Sequence, residues 1–261
     1  MTEEKAKKIS PNVFDTGKVC PNCGEHIFAY KFSTKVYECP CSCKSSTVKA
    51  EDAQHAAEKK AEARKERFAY AGVPRNFADA KLNNYRRLPG TEAAYAAVKG
   101  YLLSRQENIK AGNGLILYGP TGSGKTHLAC AVLNCALEDG YCAAYWCVPQ
   151  MLEMLMPGGD EAEQQMILDK ALLSRVLLLD DLGAEKSSEW TRKELTIILD
   201  SRWRENRPTI ITTNLLPDEE LRRDCGDRSY SRLMSDHYQV VSVTAKDYRR
   251  QAEPARRAAG I

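Results

Sequence analysis

The run GPTGSGKT, Gly119–Thr126, constrains this chain more than any other stretch, because it fits G-x-x-x-x-G-K-[ST] at every fixed position. Before it stands the apolar run GLILY (114–118). After it comes KTHLACAVLNCALEDG, a helical pattern that ends at Gly140. A strand, a glycine-rich loop and a helix in this order form a phosphate cradle. Glycines without a Cβ let backbone N–H groups curl around phosphate oxygens, and the helix turns its positive end toward the anion. Gly119, Pro120, Thr121, Gly122, Ser123, Gly124, Lys125, Thr126 and the adjoining His127 are therefore the candidate ATP-binding residues. Lys125 is placed to reach the β- and γ-phosphates and Thr126 to ligate Mg2+. His127 reads as a helix residue rather than a catalyst.

The chain beyond the loop keeps the same rhythm. YCAAYWCV (141–148), RVLLLD (175–180), PTIITTN (208–214) and YQVVSV (238–243) read as strands, and 188–206 as a helix. Strands alternating with helices imply a mostly parallel sheet covered on both faces. VLLLDD ends in two carboxylates at the C-terminal end of its strand, where open α/β sheets bind ligands. Asp180 is the candidate Mg2+ ligand. Asp181 stands where a glutamate often polarises the attacking water, so the shorter acid leaves that role open. Asn214, ending TIITTN, is a candidate sensor of the γ-phosphate or of the lytic water.

With 261 residues, the chain can form one sizeable core and a small satellite domain. It is 43% hydrophobic and 28% charged, with no apolar run near the roughly 20 residues that span a bilayer. MTEEKAKKISPNVF has no apolar segment of the secretory kind, so a cytoplasmic protein is expected. The net charge of +3 does not by itself point to nucleic acid. Residues 1–19 read as a flexible arm, and residues 49–70 as a solvated helix in which the five acidic and five basic side chains between Glu51 and Tyr70 cancel.

Cysteines crowd the N-terminal segment. Cys20 and Cys23 form a C-x2-C knuckle, and Cys39, Cys41 and Cys43 follow. In a reducing compartment such a cluster binds metal rather than forming disulfides. Four thiolates suit structural Zn2+, and a segment this small needs such a staple. An iron–sulfur cluster is the alternative. His26 reads as a surface residue. Cys130, Cys135, Cys142 and Cys147 read as small hydrophobes on an apolar helix and strand, and Cys225 as a loop residue without a partner. Trp146, Trp190 and Trp203 read as packing residues.

GPTGSGKTHLA, LLLDDLGAEKSSEW, LDSRWRENRPTIITTNL and DRSYSRLM, in this order, resemble the DnaC/DnaI-type replicative helicase loaders. Those belong with the transposition helper IstB in one branch of the AAA+ ATPases. The resemblance covers about residues 67–250. It implies an AAA+ P-loop α/β fold with a five-stranded parallel sheet ordered 5-1-4-3-2, and ATP sites shared between self-associating subunits. By resemblance Asn214 matches sensor 1, Arg249 (with Arg250 beside it) sensor 2, and Arg232 an arginine finger, with Arg228 one turn before it. The competing reading of Arg232 is a surface ion pair with Asp236. The family's proline before C-x-C matches Pro40, which favours Cys20, Cys23, Cys41 and Cys43 as the zinc ligands with Cys39 as alternate. Gln150–Ser174 matches a helix that initiator ATPases lay on single-stranded DNA, although its own residues here are acidic.

The implied organisation is an arm and zinc module (1–48), a charged helical linker (49–72), the ATPase domain (73–251) and a tail (252–261). The implied function is loading a DnaB-type replicative helicase onto single-stranded DNA, with ATP, Mg2+ and Zn2+ as cofactors and no membrane partner. A transposition helper and a nucleotide-gated adaptor with little hydrolysis are the alternatives.

Overall fold

The segment before the first helix forms a small antiparallel sheet, seen in a computed structural model that describes residues 13–39, 41–185 and 187–248. Its strands are β1 (Val13–Val19), β2 (His26–Phe32) and β3 (Lys35–Glu38), in the order β1-β2-β3. Val13 pairs with Tyr30 and Tyr30 with Tyr37, and a bulge between Asp15 and Lys18 lets β1 bend. Part of the expected arm is thus a strand. VFDTGKV carries no apolar alternation that would mark it as a strand, and its partner lies beyond the cysteine knuckle. Helix α1 (Ser42–Ala71) follows and starts earlier than the expected linker. The chain divides into two compact units, Met1–Ala63 and Arg64–Ile261.

The second unit holds α2 (Glu92–Leu103), α3 (Arg105–Ala111), β4 (Gly114–Tyr118), α4 (Lys125–Glu138), β5 (Ala143–Cys147), α5 (Val148–Met154), α6 (Glu161–Leu173), β6 (Val176–Leu182), α7 (Glu189–Arg204), β7 (Thr209–Thr213), α8 (Glu219–Cys225), α9 (Asp227–Leu233) and β8 (Tyr238–Ser242). All neighbouring strands run parallel, in the order β5-β6-β7-β4-β8. Numbered within this sheet and read from the β8 edge, that is the expected 5-1-4-3-2.

Side chains alternate across the strands, so both faces must be covered. Leu115, Leu117 and Leu178 pack under α4 with Leu128, Leu133 and Leu137. Ile116, Leu177 and Leu179 face the other way onto Met151, Ile167, Leu195 and Ile198. The sheet's N-terminal end is tied by Arg202, which is fully buried. Its guanidinium donates to the carbonyls of Ala171 (2.9 Å), Ser174 (2.8 Å) and Pro208 (2.8 Å) and to Thr209 Oγ1 (3.0 Å). Burial pushes its pKa down to about 9. The opposite end of the sheet, where β4, β6 and β7 stop, is left to the nucleotide site.

The segment Gln150–Ser174 is not one helix. It contains the end of α5, a turn with Gly158 in the left-handed region, and α6. Its acidic residues have a local reason: Asp160 caps α6 by accepting from the N–H groups of Ala162 and Glu163, and Glu161 and Glu163 lie in the first turn. Cys225 is fully buried in α8 rather than lying in a loop, because α8 docks Leu221 and Cys225 on the core. Cys142 is exposed just before β5. Among the described residues no helix is long and apolar enough to cross a membrane.

Candidate nucleotide site and cysteine cluster

The loop after β4 is shaped by its glycines. Gly122 and Gly124 have φ of 76° and 95°. A Cβ on Gly122 would lie 2.0 Å from Asp247 Oδ1, and one on Gly124 would lie 2.7 Å from the Tyr85 hydroxyl. At both positions a side chain would meet left-handed backbone strain as well as this crowding. Gly124 caps α4, whose first turn carries no acid, so the helix's N-terminal N–H groups present a positive end that no carboxylate in that turn offsets. Ser123 Oγ is buried without a hydrogen-bond partner. An orphaned hydroxyl in a cradle of backbone donors fits a phosphate.

Lys125 is buried, and its Nζ donates to Gly119 O (2.8 Å), Pro120 O (2.9 Å) and Asn214 Oδ1 (2.8 Å). The P-loop lysine at the start of α4 and the candidate sensor just after β7 are therefore in direct contact. Thr126 Oγ1 donates to Asp180 Oδ1 at 3.0 Å. Two hard oxygen donors at this separation suit Mg2+.

The two acids are aimed differently by the backbone. The register between β6 and β7 slips between Leu179 and Leu182, and Asp181 has a φ of 57°. This bulge sends consecutive carboxylates to one site: Asp180 against Thr126, and Asp181 into the cleft. Thr212 fixes it, accepting from the Asp181 N–H (2.9 Å) and donating to Asp180 Oδ1 (2.6 Å). Left-handed backbone is tolerated by aspartate better than by longer side chains, which gives a physical reason for the shorter acid.

The cleft encloses about 440 Å3 and extends beyond the loop to Asn76, Phe77, Tyr85, Arg86 and Tyr248. These five did not stand out in the sequence. Tyr85 stacks on Tyr95 at 6.3 Å, lies 5.3 Å from the His127 ring, and donates to Ser123 O at 3.3 Å. Tyr248 donates its N–H to Gly122 O at 3.0 Å, and Arg86 lies 5.6 Å over its ring. An aromatic and amide wall beside a phosphate loop suits a purine base. The available signal was the aromatic spacing in PRNF and NNY upstream of the loop. His127 lies in the same wall, its Nε2 within 3.1 Å of Asn84 Oδ1 and 3.2 Å of Lys81 O.

Arg232 is not in this cleft. Its Nε donates to Asp200 Oδ1 at 2.5 Å, and its guanidinium lies 5.3 Å over the Trp203 ring. Arg228 and Arg204 reach the same carboxylate, at 2.8 and 3.0 Å. Burial works to raise the Asp200 carboxyl, but Arg232, Arg204 and Arg228 together hold it below its ordinary value. The acid that takes Arg232 is thus on α7, and Asp236 is not that partner. Arg249 and Arg250 lie outside the described residues.

In the N-terminal unit the sulfur atoms of Cys20, Cys23, Cys41 and Cys43 all lie within 4.8 Å of one another. Cys20 and Cys43 are 3.6 Å apart and Cys41 and Cys43 3.1 Å. Zn–S bonds of about 2.3 Å in a tetrahedron require sulfurs about 3.8 Å apart, so the cluster fits the ion. The knuckle closes through Gly24, whose N–H reaches Cys20 O at 2.9 Å. Backbone N–H groups of Asn22 and Cys23 pull the Cys20 thiol down to about 6. Its thiol neighbours push Cys43 up to about 12. Crowded thiols cannot all ionise without a cation. Cys39 is outside the cluster, and His26 turns instead to Asp15 Oδ2 at 2.8 Å.

A protein-family model described as "IstB-like ATP binding protein" matches residues 75–255. The replicative helicase loader DnaI of Bacillus subtilis is 33% identical over 132 residues, which is 50% of this chain and 42% of that protein. An insertion-sequence ATP-binding protein of Pseudomonas fluorescens is 36% identical over 107 residues, 41% of this chain and 46% of its own length. The chain thus spans less than half of each of these relatives. Among solved structures, the DnaC helicase loader is 26% identical with a TM-score of 0.57, covering 66% of this chain and 100% of its own. A DnaI structure at 24% identity and a TM-score of 0.55 covers 67% and 94%, a likeness of fold.

Proposed function

The chain belongs to the IstB-like ATP-binding family of AAA+ ATPases, and from that premise we propose that it is a cytoplasmic, ATP-dependent loader of a DnaB-type replicative helicase onto single-stranded DNA. The observation that carries the reading is the combination of two sites in one chain. A phosphate loop has Lys125 on Asn214 and Thr126 on Asp180, and a separate unit carries a four-cysteine cluster. The likeness to DnaI and to the DnaC structure supports the loader reading.

In this reading Lys125 meets the charge of the transferring phosphoryl group. Thr126 and Asp180 hold Mg2+, which when bound neutralises charge on the phosphate oxygens. Asp181 orients the attacking water and Asn214 senses the γ-phosphate that Lys125 contacts. Arg232 serves the site of a neighbouring copy, and in this chain its guanidinium is engaged by Asp200. Arg249 takes part as sensor 2. Cys20, Cys23, Cys41 and Cys43 hold one Zn2+, and the module so folded grips the helicase.

The test is co-purification with a DnaB-type helicase, with and without ATP, using the wild type and Lys125→Ala. Nucleotide-dependent retention by the wild type and its loss in the variant are expected. A folded wild type that retains no helicase under either condition refutes the reading. The insertion-sequence relative supports a second reading, a transposition helper, which predicts retention of a transposase instead.

A further inference from the structure

Strand β5 supplies one contact to the nucleotide site. The Tyr145 hydroxyl donates to Asp180 Oδ2 at 2.9 Å. The other oxygen of that carboxylate, Oδ1, accepts from Thr126 (3.0 Å) and Thr212 (2.6 Å). Hydroxyls from β5, α4 and β7 therefore hold both ends of one buried acid. The two donors on Oδ1 share an oxygen, so small concerted changes in χ1 and χ2 can still move Oδ2 while Oδ1 stays held. The donor on Oδ2 removes that freedom.

Tyr145 is well placed to do this. Its Cα registers with Leu178, two residues before Asp180, and its ring packs against the apolar cluster beneath α4. The phenol is thus anchored by packing along its length, and only the hydroxyl extends to the acid. A tyrosine with a half-exposed ring can satisfy its hydroxyl with water. Here the hydroxyl is spent on the one carboxylate that faces Thr126.

We propose that Tyr145 is a positioning residue for the metal site, acting through Asp180 by fixing the orientation of its carboxylate. The proposal rests on the reading that Asp180 and Thr126 hold Mg2+. Partners that orient a metal-binding acid contribute to metal affinity without touching the ion. A hydrogen bond that only stabilised the fold would leave metal affinity alone.

The experiment is Tyr145→Phe, which keeps the ring and removes the hydroxyl. Binding of a fluorescent ATP analogue to the full chain is followed as Mg2+ is titrated, and again in EDTA. The Mg2+ concentration for half-maximal binding should rise by about tenfold or more, while binding in EDTA is unchanged. An unchanged or lowered Mg2+ midpoint overturns the proposal, and so does an equal loss of binding in EDTA. Asp180→Asn separates this from the underlying reading. If that variant keeps the wild-type Mg2+ response, the metal assignment itself fails and the proposal falls with it. If it loses the response while Tyr145→Phe keeps it, only the role of Tyr145 is refuted.

Discussion

Replacing Thr212 with Val keeps the shape of a fully buried side chain and removes one hydroxyl that works in both directions. The hydroxyl donates to Asp180 Oδ1 at 2.6 Å and accepts from the Asp181 N–H at 2.9 Å. A hydrogen bond to a charged acceptor contributes about 1.5–3 kcal/mol, and a donor left without its acceptor costs about 1–3 kcal/mol. Burying a methyl in place of the hydroxyl offsets about 1 kcal/mol. The net loss is about 3 kcal/mol, a fall of about 1 M in the urea midpoint for a slope near 3 kcal/mol per M. The assay is urea unfolding followed by tryptophan fluorescence. Trp146, Trp190 and Trp203 all lie in the Arg64–Ile261 unit, so the signal reports that unit alone. Freed from Thr212, the Asp181 backbone also loses the contact that stabilises its φ of 57°, and ATP hydrolysis should fall with stability. A loss under about 1 kcal/mol would show that the acid pair is held by other means, and that the two hydrogen bonds are not the source of its geometry.

Cys20→Ser with Cys23→Ser should abolish binding of one Zn2+ per chain and unfold the N-terminal sheet, leaving ATP hydrolysis in place; metal analysis and amide exchange check it, and full zinc content in the double variant refutes the ligand set. Lys125→Ala and Arg232→Ala subunits, each nearly inactive alone, should recover part of the ATPase when mixed, since one supplies the finger and the other the loop; full activity of Arg232→Ala alone refutes a role in trans. Glu185 gives a pH prediction. Its Oε1 is buried without a partner, and burial, with Asp224 close by, raises its carboxyl above the ordinary value. The folded state therefore binds the proton more tightly than the unfolded chain. Stability falls as pH rises from the ordinary glutamate value through the raised one. Glu185→Gln should remove this fall and raise the melting temperature at pH 8 but not at pH 4; equal melting curves at pH 8 refute it.

The phosphate loop was legible because its chemistry is local. Gly119–Thr126, the flanking strand and helix, and the paired acids of β6 are contiguous runs whose periodicity and residue types specify the local shape and mark the candidate groups. The same holds for the cysteine knuckle, although the sequence left five thiols for four places until folding set Cys39 apart from the cluster. Other features depend on residues far apart in the chain, and no local pattern could announce them. Tyr85 and Tyr248 meet the loop from either side only because α4 packs under the stretch before it and β8 lies beside β4. Asp200 gathers Arg204, Arg228 and Arg232 because α9 lies on α7, whereas the sequence offered only the nearby Asp236. The left-handed Asp181 arises from a register slip between β6 and β7, which is a property of the strand pair rather than of either strand. Sequence alone marked which groups are candidates to bind phosphate and metal, since that follows from residue type and short spacing. The tertiary structure decided which partners orient them, since hydrogen bonds and packing act through space rather than along the chain.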